Sequence, residues 1–171
     1  MKSSPYAGYD IHYMYLRDLD LGELPTSIEV DGHTLILKSE FHISLVCAVR
    51  LAPLINKRGS DKVAAEIIEA FDGFVKEQPL TDYELSGELR LVKRDEKKTV
   101  IVMAKVPNLD KFFDSLRRKY NVDLPTQPTH ITLYTLPPDN IGIGILSDEE
   151  LRRDSIPVKI PELEKLLRNL K

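Results

Sequence analysis

"EFHISLVCAV", residues 40–49, is an apolar run with one histidine near its start, and "THITLYTL", residues 129–136, repeats its core with threonine in place of serine. The chain has only four histidines, and two of them open the same tetrapeptide, His-Ile-Ser-Leu and His-Ile-Thr-Leu. Both runs carry β-branched residues and have the length of strands. Side chains of a strand alternate faces, so His42 and Ser44 share one face while Ile43, Leu45 and Cys47 share the other. By the same parity His130, Thr132 and Tyr134 share a face, and Ile131 and Leu133 point away. Each strand thus offers one face for chemistry and one to pack beneath a helix.

The surroundings of the two strands are legible in part. "DIHYMYLR" reads as a strand rich in aromatic residues, and "SIEVDGHTLILK" as a hairpin turning at Asp31-Gly32. A loop is expected between Arg50 and Ser60, with Pro53, Lys57, Arg58 and Gly59. "SDKVAAEIIEAFDGFVKEQ" has apolar residues at the three-and-four spacing of an amphipathic helix, N-capped by Ser60 or Asp61. "YELSGELRLVKR" and "TVIVMAKV" flank a charged turn as an antiparallel pair. "NLDKFFDSLRRKYNV" is a second amphipathic helix with Asn108 at its N-cap. After "THITLYTL" come a glycine-containing loop, "NIGIGILSDEEL", a short strand near "SIPVKI", and a closing helix that begins at Pro161. Two similar strands, each accompanied by a helix, predict an internally duplicated α+β fold with pseudo-twofold symmetry.

Composition narrows the function classes. A chain of 171 residues, 42% hydrophobic and 30% charged, fits one domain with a single core. A formal net charge of −3 argues against nucleic-acid binding by bulk charge and leaves room for short, local RNA contacts. Cys47 is the only cysteine, so no internal disulfide framework or zinc-ribbon site is expected, and its place in a strand favours a small buried apolar residue over a nucleophile. The N-terminal stretch has no apolar signal core, and no run approaches membrane-spanning length. A cytoplasmic protein with no membrane association is expected.

Brought together across a groove, the polar faces would supply two imidazoles and two hydroxyls. Histidine exchanges protons near neutrality, and a pair can divide the roles of base and acid. A hydroxyl one strand repeat away can donate to an anionic oxygen between them. The set suits in-line displacement at a phosphate ester. A lone His-x-Ser carries no weight, since strand histidines are commonly surface or satisfied core residues. Two near-identical copies 88 residues apart (130 − 42) are harder to explain as coincidence.

At these residues the chain resembles the two-histidine phosphoesterase superfamily, which includes the RNA 2′,3′-cyclic phosphodiesterases and the 2′-5′ RNA ligases. "HISL" at 42–45 and "HITL" at 130–133 match its paired His-x-(Ser/Thr)-apolar signature. Thr129 stands where many members have proline, with Pro128 one residue earlier. The resemblance implies a bilobal α+β fold whose antiparallel sheets line a central cleft, with helices outside. It also implies metal-independent cleavage of a cyclic or 2′-5′ phosphodiester of a nucleotide or RNA end, with no cofactor. His42 and His130 would be the general acid and base, in either assignment, and Ser44 and Thr132 would hold the phosphate oxygens. The alternative is a groove that binds a phosphate or RNA end without turnover.

Other residues are open to two readings. Tyr134 either stacks on a base at the groove rim or simply covers the sheet. Lys57 and Arg58 either close over the phosphate or form a solvated loop pair. Lys38 and Glu40 share the parity of His42 if the strand runs unbroken, although "LKSEF" reads equally as a turn. His12 and His33 have no hydroxyl partner two residues on and are expected at the surface or an edge, and no metal site is expected from them with Cys47.

Overall fold

The computed structural model describes residues 5–9, 13–137 and 140–170. The fold is α+β. In chain order the elements are β1 (Tyr6–Tyr9), β2 (Tyr13–Leu16), β3 (Ser27–Val30), β4 (His33–Leu37), β5 (Ile43–Cys47), α1 (Ala48–Ile55) and α2 (Ser60–Glu77). The hairpin β6 (Glu84–Arg94) and β7 (Lys97–Lys105) leads to α3 (Leu109–Tyr120), β8 (His130–Thr135), α4 (Asp148–Asp154), β9 (Ser155–Pro157) and α5 (Pro161–Arg168).

The strands join in one antiparallel sheet of order β1-β2-β5-β8-β7-β6-β9. One edge of β8 is shared by two strands, because β4 pairs with its end through Ile36↔Thr135 and Leu37↔Tyr134 while β5 meets its start at Ile43↔Ile131. β4 and β5 therefore run end to end, and residues 38–42 form the step between them. Lys38 continues the first pairing by donating its backbone N–H to the Leu133 carbonyl at 2.9 Å. The Asp31-Gly32 turn joins β3 to β4 with both residues at positive φ, 54° and 72°, as a two-residue hairpin requires.

One face of the sheet carries the main core. Ile43, Leu91, Val100, Val102, Ile131 and Leu133 pack there against the buried sides of α1, α2, α3 and α5. Phe71 of α2 and Phe112 of α3 meet edge to face at 5.5 Å between ring centroids. The second face has a smaller cluster, in which Ile143 and Ile145 cover Val92 and Ile101.

Two local expectations are corrected. Residues 50–60 are not all loop, since α1 extends to Ile55 with Ala48, Leu51 and Ala52 buried along one side. Pro53 lies near the end of that helix, where its missing N–H costs a single bond. The N-cap of α2 is Gly59, not Ser60 or Asp61, and Asn56 Oδ1 organises the approach by accepting from the backbone N–H groups of Arg58 and Gly59 at 3.1 and 3.2 Å. Part of the "DIHYMYLR" strand, and His12 with it, lies outside the described residues. No helix among the described residues is long and apolar enough to cross a membrane.

Candidate active site

The Ile43↔Ile131 pairing brings the two repeated tetrapeptides side by side. Continuing that antiparallel register places His42 opposite Thr132 and Ser44 opposite His130. Both isoleucines point into the main core, so the two histidines and two hydroxyls share the other face. The two imidazoles occupy one diagonal of this quartet and the hydroxyls the other.

Gln127 holds the strands in this relation. β5 and β8 diverge beyond their single pairing, and the buried amide of Gln127 spans the gap. Its Oε1 accepts from the Cys47 backbone N–H at 3.0 Å and its Nε2 donates to the Ser44 carbonyl at 3.2 Å. Thr129 fixes the other edge of the same segment, because its hydroxyl donates to the Ala104 carbonyl at 2.7 Å and its carbonyl accepts from the Ala104 N–H at 3.0 Å. Neither residue stood out in the sequence as a support of the site. Single polar residues before a strand have no periodicity to mark them.

The two histidines differ in setting. His130 is 7% exposed and its Nδ1 has no hydrogen-bond partner of good geometry among the described residues. Burial pushes its pKa down to about 4, His42 adds to the shift, and the nearby Pro128 carbonyl works weakly against it. His42, directly before β5, is less deeply buried and lies against the Tyr15 ring with 4.8 Å between centroids. Its pKa is also lowered, first by burial and then by the Lys38 ammonium, with Glu40 opposing. Lys38 and Glu40 thus both act on His42, although they lie on the step between β4 and β5 and not on an unbroken strand.

Tyr134 is elsewhere. Between Ile101↔Thr132 and Val100↔Tyr134 the ladder takes one step on β7 and two on β8, leaving Leu133 as an extra residue. This bulge turns Tyr134 onto the opposite face, where it is fully buried and its hydroxyl donates to the Pro25 carbonyl at 2.8 Å. The face that strict alternation gave Tyr134 is corrected accordingly, and of its two readings the buried ring fits covering the sheet and not stacking at the rim. A second bulge, at Leu45 between Tyr15↔Ser44 and Met14↔Val46, moves Cys47 off the parity of Ile43. The Cys47 thiol is buried, and burial pushes its pKa up. Lys57 and Arg58 are exposed on the loop between α1 and α2 and make no side-chain hydrogen bond or ion pair among the described residues. His33 is exposed beside the Asp31-Gly32 turn, with Nδ1 2.8 Å from the Asp31 carbonyl oxygen.

Chemically, the quartet offers one deeply buried neutral imidazole, a second imidazole nearer to solvent, and two hydroxyl donors between them. Among the described residues no group of three or more His, Cys, Asp or Glu side chains is placed to hold a metal ion. The chain matches no protein-family model, no curated protein and no solved structure.

Proposed function

We propose that this protein is a two-histidine phosphodiesterase that hydrolyses a 2′,3′-cyclic phosphate or a 2′-5′ phosphodiester of RNA or a nucleotide, in the cytoplasm. The observation that carries the reading is the diagonal placement of His42 and His130 about the Ile43↔Ile131 pair, with Ser44 and Thr132 on the other diagonal. A phosphate centred on the quartet would have an imidazole toward each side, as in-line displacement requires, and a hydroxyl toward its non-bridging oxygens. The same near-twofold relation supports the reading of the fold as two duplicated halves about a cleft.

The settings of the histidines favour one division of labour. His130, held neutral by burial, takes the proton from the attacking water as its oxygen bonds to phosphorus. His42, less deeply buried than His130, holds the proton that passes to the departing ribose oxygen as its bond to phosphorus breaks, with the Glu40 carboxylate and the bound phosphate working against the burial and the Lys38 ammonium that lower its pKa. Ser44 and Thr132 donate to the two non-bridging oxygens, whose negative charge they stabilise throughout. The products are a phosphomonoester and a free ribose hydroxyl. None of these steps calls for a further group.

The burial of His130 and Thr132, at 7% and 9% exposure, favours a second reading, a groove that holds a phosphate-bearing RNA end without turnover. The two separate in one assay. The protein is incubated in excess chelator with 2′,3′-cyclic nucleotides, a cyclic-phosphate-ended oligonucleotide and a 2′-5′ dinucleotide, and both product and bound substrate are measured. Turnover of at least one supports hydrolysis, whereas tight binding with no product over hours supports the second reading.

A further inference from the structure

Residues 140–146 cross the same face of the sheet as the quartet. At Gly142 the backbone lies on Thr132 so closely that a Cβ would come within 2.8 Å of the Thr132 hydroxyl. The alternation Ile-Gly-Ile-Gly-Ile lets Ile143 and Ile145 reach down to Val92 and Ile101 while glycine sits over the polar position. Polar ties from different parts of the fold hold the segment. Lys38 Nζ donates to the Asn140 carbonyl at 2.7 Å, Arg94 Nη1 donates to the Gly144 carbonyl at 2.8 Å, and the Leu146 N–H donates to Glu150 Oε2 at 2.9 Å. Glu150 is itself gripped by both terminal nitrogens of Arg50, one at 3.1 Å, and lies 3.6 Å from Arg94 Nη2. A carboxylate on α4 thus joins α1, which follows the first histidine motif, to β6 on the far side of the sheet.

We infer that residues 140–146 are a strap that lifts from Thr132 to let a phosphate reach both histidines, and that the Arg50–Glu150–Arg94 cluster is its latch. The inference rests on the quartet being the site of phosphate chemistry. With the strap down, His130 and Thr132 are shielded while His42 keeps a path to solvent. Among the described residues the strap forms no strand ladder, and its ties are mostly exposed or partly exposed polar contacts, which exchange for water at low cost. Lifting it leaves both strands of the quartet in place, because Gln127 and Thr129 anchor them independently of the strap.

The test is chemical labelling of histidine by diethyl pyrocarbonate on the full chain, read by mass spectrometry, with exposed His33 as the internal reference. Glu150→Ala removes the centre of the latch, Gly142→Ala crowds the strap off Thr132, and Phe74→Leu, remote from both, serves as a generally destabilised control. The His130 to His33 labelling ratio is expected to be low in the wild type and to rise on the order of tenfold in both strap variants, through loss of a charge-assisted hydrogen bond in Glu150→Ala and through the clash with Thr132 in Gly142→Ala. The control should leave it unchanged. Wild-type ratios in both strap variants, or an equal rise in the control, would overturn the strap. Should one strap variant not fold, the other decides. Labelling needs no turnover, so a failure here is distinct from a failure to hydrolyse any phosphodiester.

Discussion

Lowering the pH should weaken folding through His130, by an amount that its burial sets. The imidazole is held down to about 4 in the fold, against ~6.5 in an unfolded chain. A group whose folded pKa lies below its unfolded value is protonated first in the unfolded state. The unfolded chain therefore takes up protons as pH falls through ~6.5, and stability is lost from there down to the folded value. The gap of about 2.5 pH units corresponds to roughly 3 kcal/mol, of which about 2 kcal/mol is lost between about pH 7 and pH 5. At 7% exposure the side chain is deep enough for that conversion to hold. His42 is shifted in the same direction and adds to the loss. Urea denaturation of the wild type and of His130→Gln, at about pH 7, 6 and 5, isolates the effect, since other titrating groups are common to both. The wild type should lose about 2 kcal/mol more than the variant across this range. Equal losses would mean that His130 is not stored as a buried neutral imidazole and does not stand ready to accept a proton.

Three further outcomes follow from the same geometry. Gln127→Leu leaves the Cys47 N–H and the Ser44 carbonyl without their partner, and should cost roughly 2–4 kcal/mol in a denaturant melt; a change below experimental error would show that the strands do not rely on this bridge. Tyr134→Phe removes only the hydrogen bond to Pro25, so stability should fall by about 1 kcal/mol while KM stays as in the wild type; a large rise in KM would restore the ring to the substrate's path. Lys38→Met removes the cation that depresses His42, so the His42 resonance should titrate at higher pH in NMR. A downward move would reverse the assigned sign.

Local signals in the chain carried much of the fold. The Asp31-Gly32 pair between apolar runs specifies a hairpin, and the spacing of Val63, Ala64, Ile67 and Phe71 specifies the buried side of α2. α1 was hidden because Pro53 reads as a breaker, whereas burial of Ala48, Leu51 and Ala52 outweighs one lost backbone bond. Of the candidate site, the sequence suggests four residues but not how they are arranged. That the two tetrapeptides lie side by side through Ile43 and Ile131 depends on register between strands far apart in sequence, which packing of the isoleucines decides. Alternation predicted the faces correctly only until a bulge intervened, at Leu45 in β5 and at Leu133 in β8, and each bulge reassigned the residues beyond it. The strap was the least visible part. Its Ile-Gly alternation read as a glycine-containing loop, and only Ile143 and Ile145 of its isoleucines are packed against the sheet while Ile141 is exposed.

The most direct test of the central claim is steady-state hydrolysis of a 2′,3′-cyclic nucleotide in excess chelator by the wild type, His42→Ala, His130→Ala and the double variant, each shown to be folded. Wild-type turnover is expected, with a loss of roughly 10²- to 10⁴-fold in each single variant and a double variant little worse than the weaker single, because the two groups act as one acid–base pair. A double variant that keeps the wild-type rate would contradict that claim.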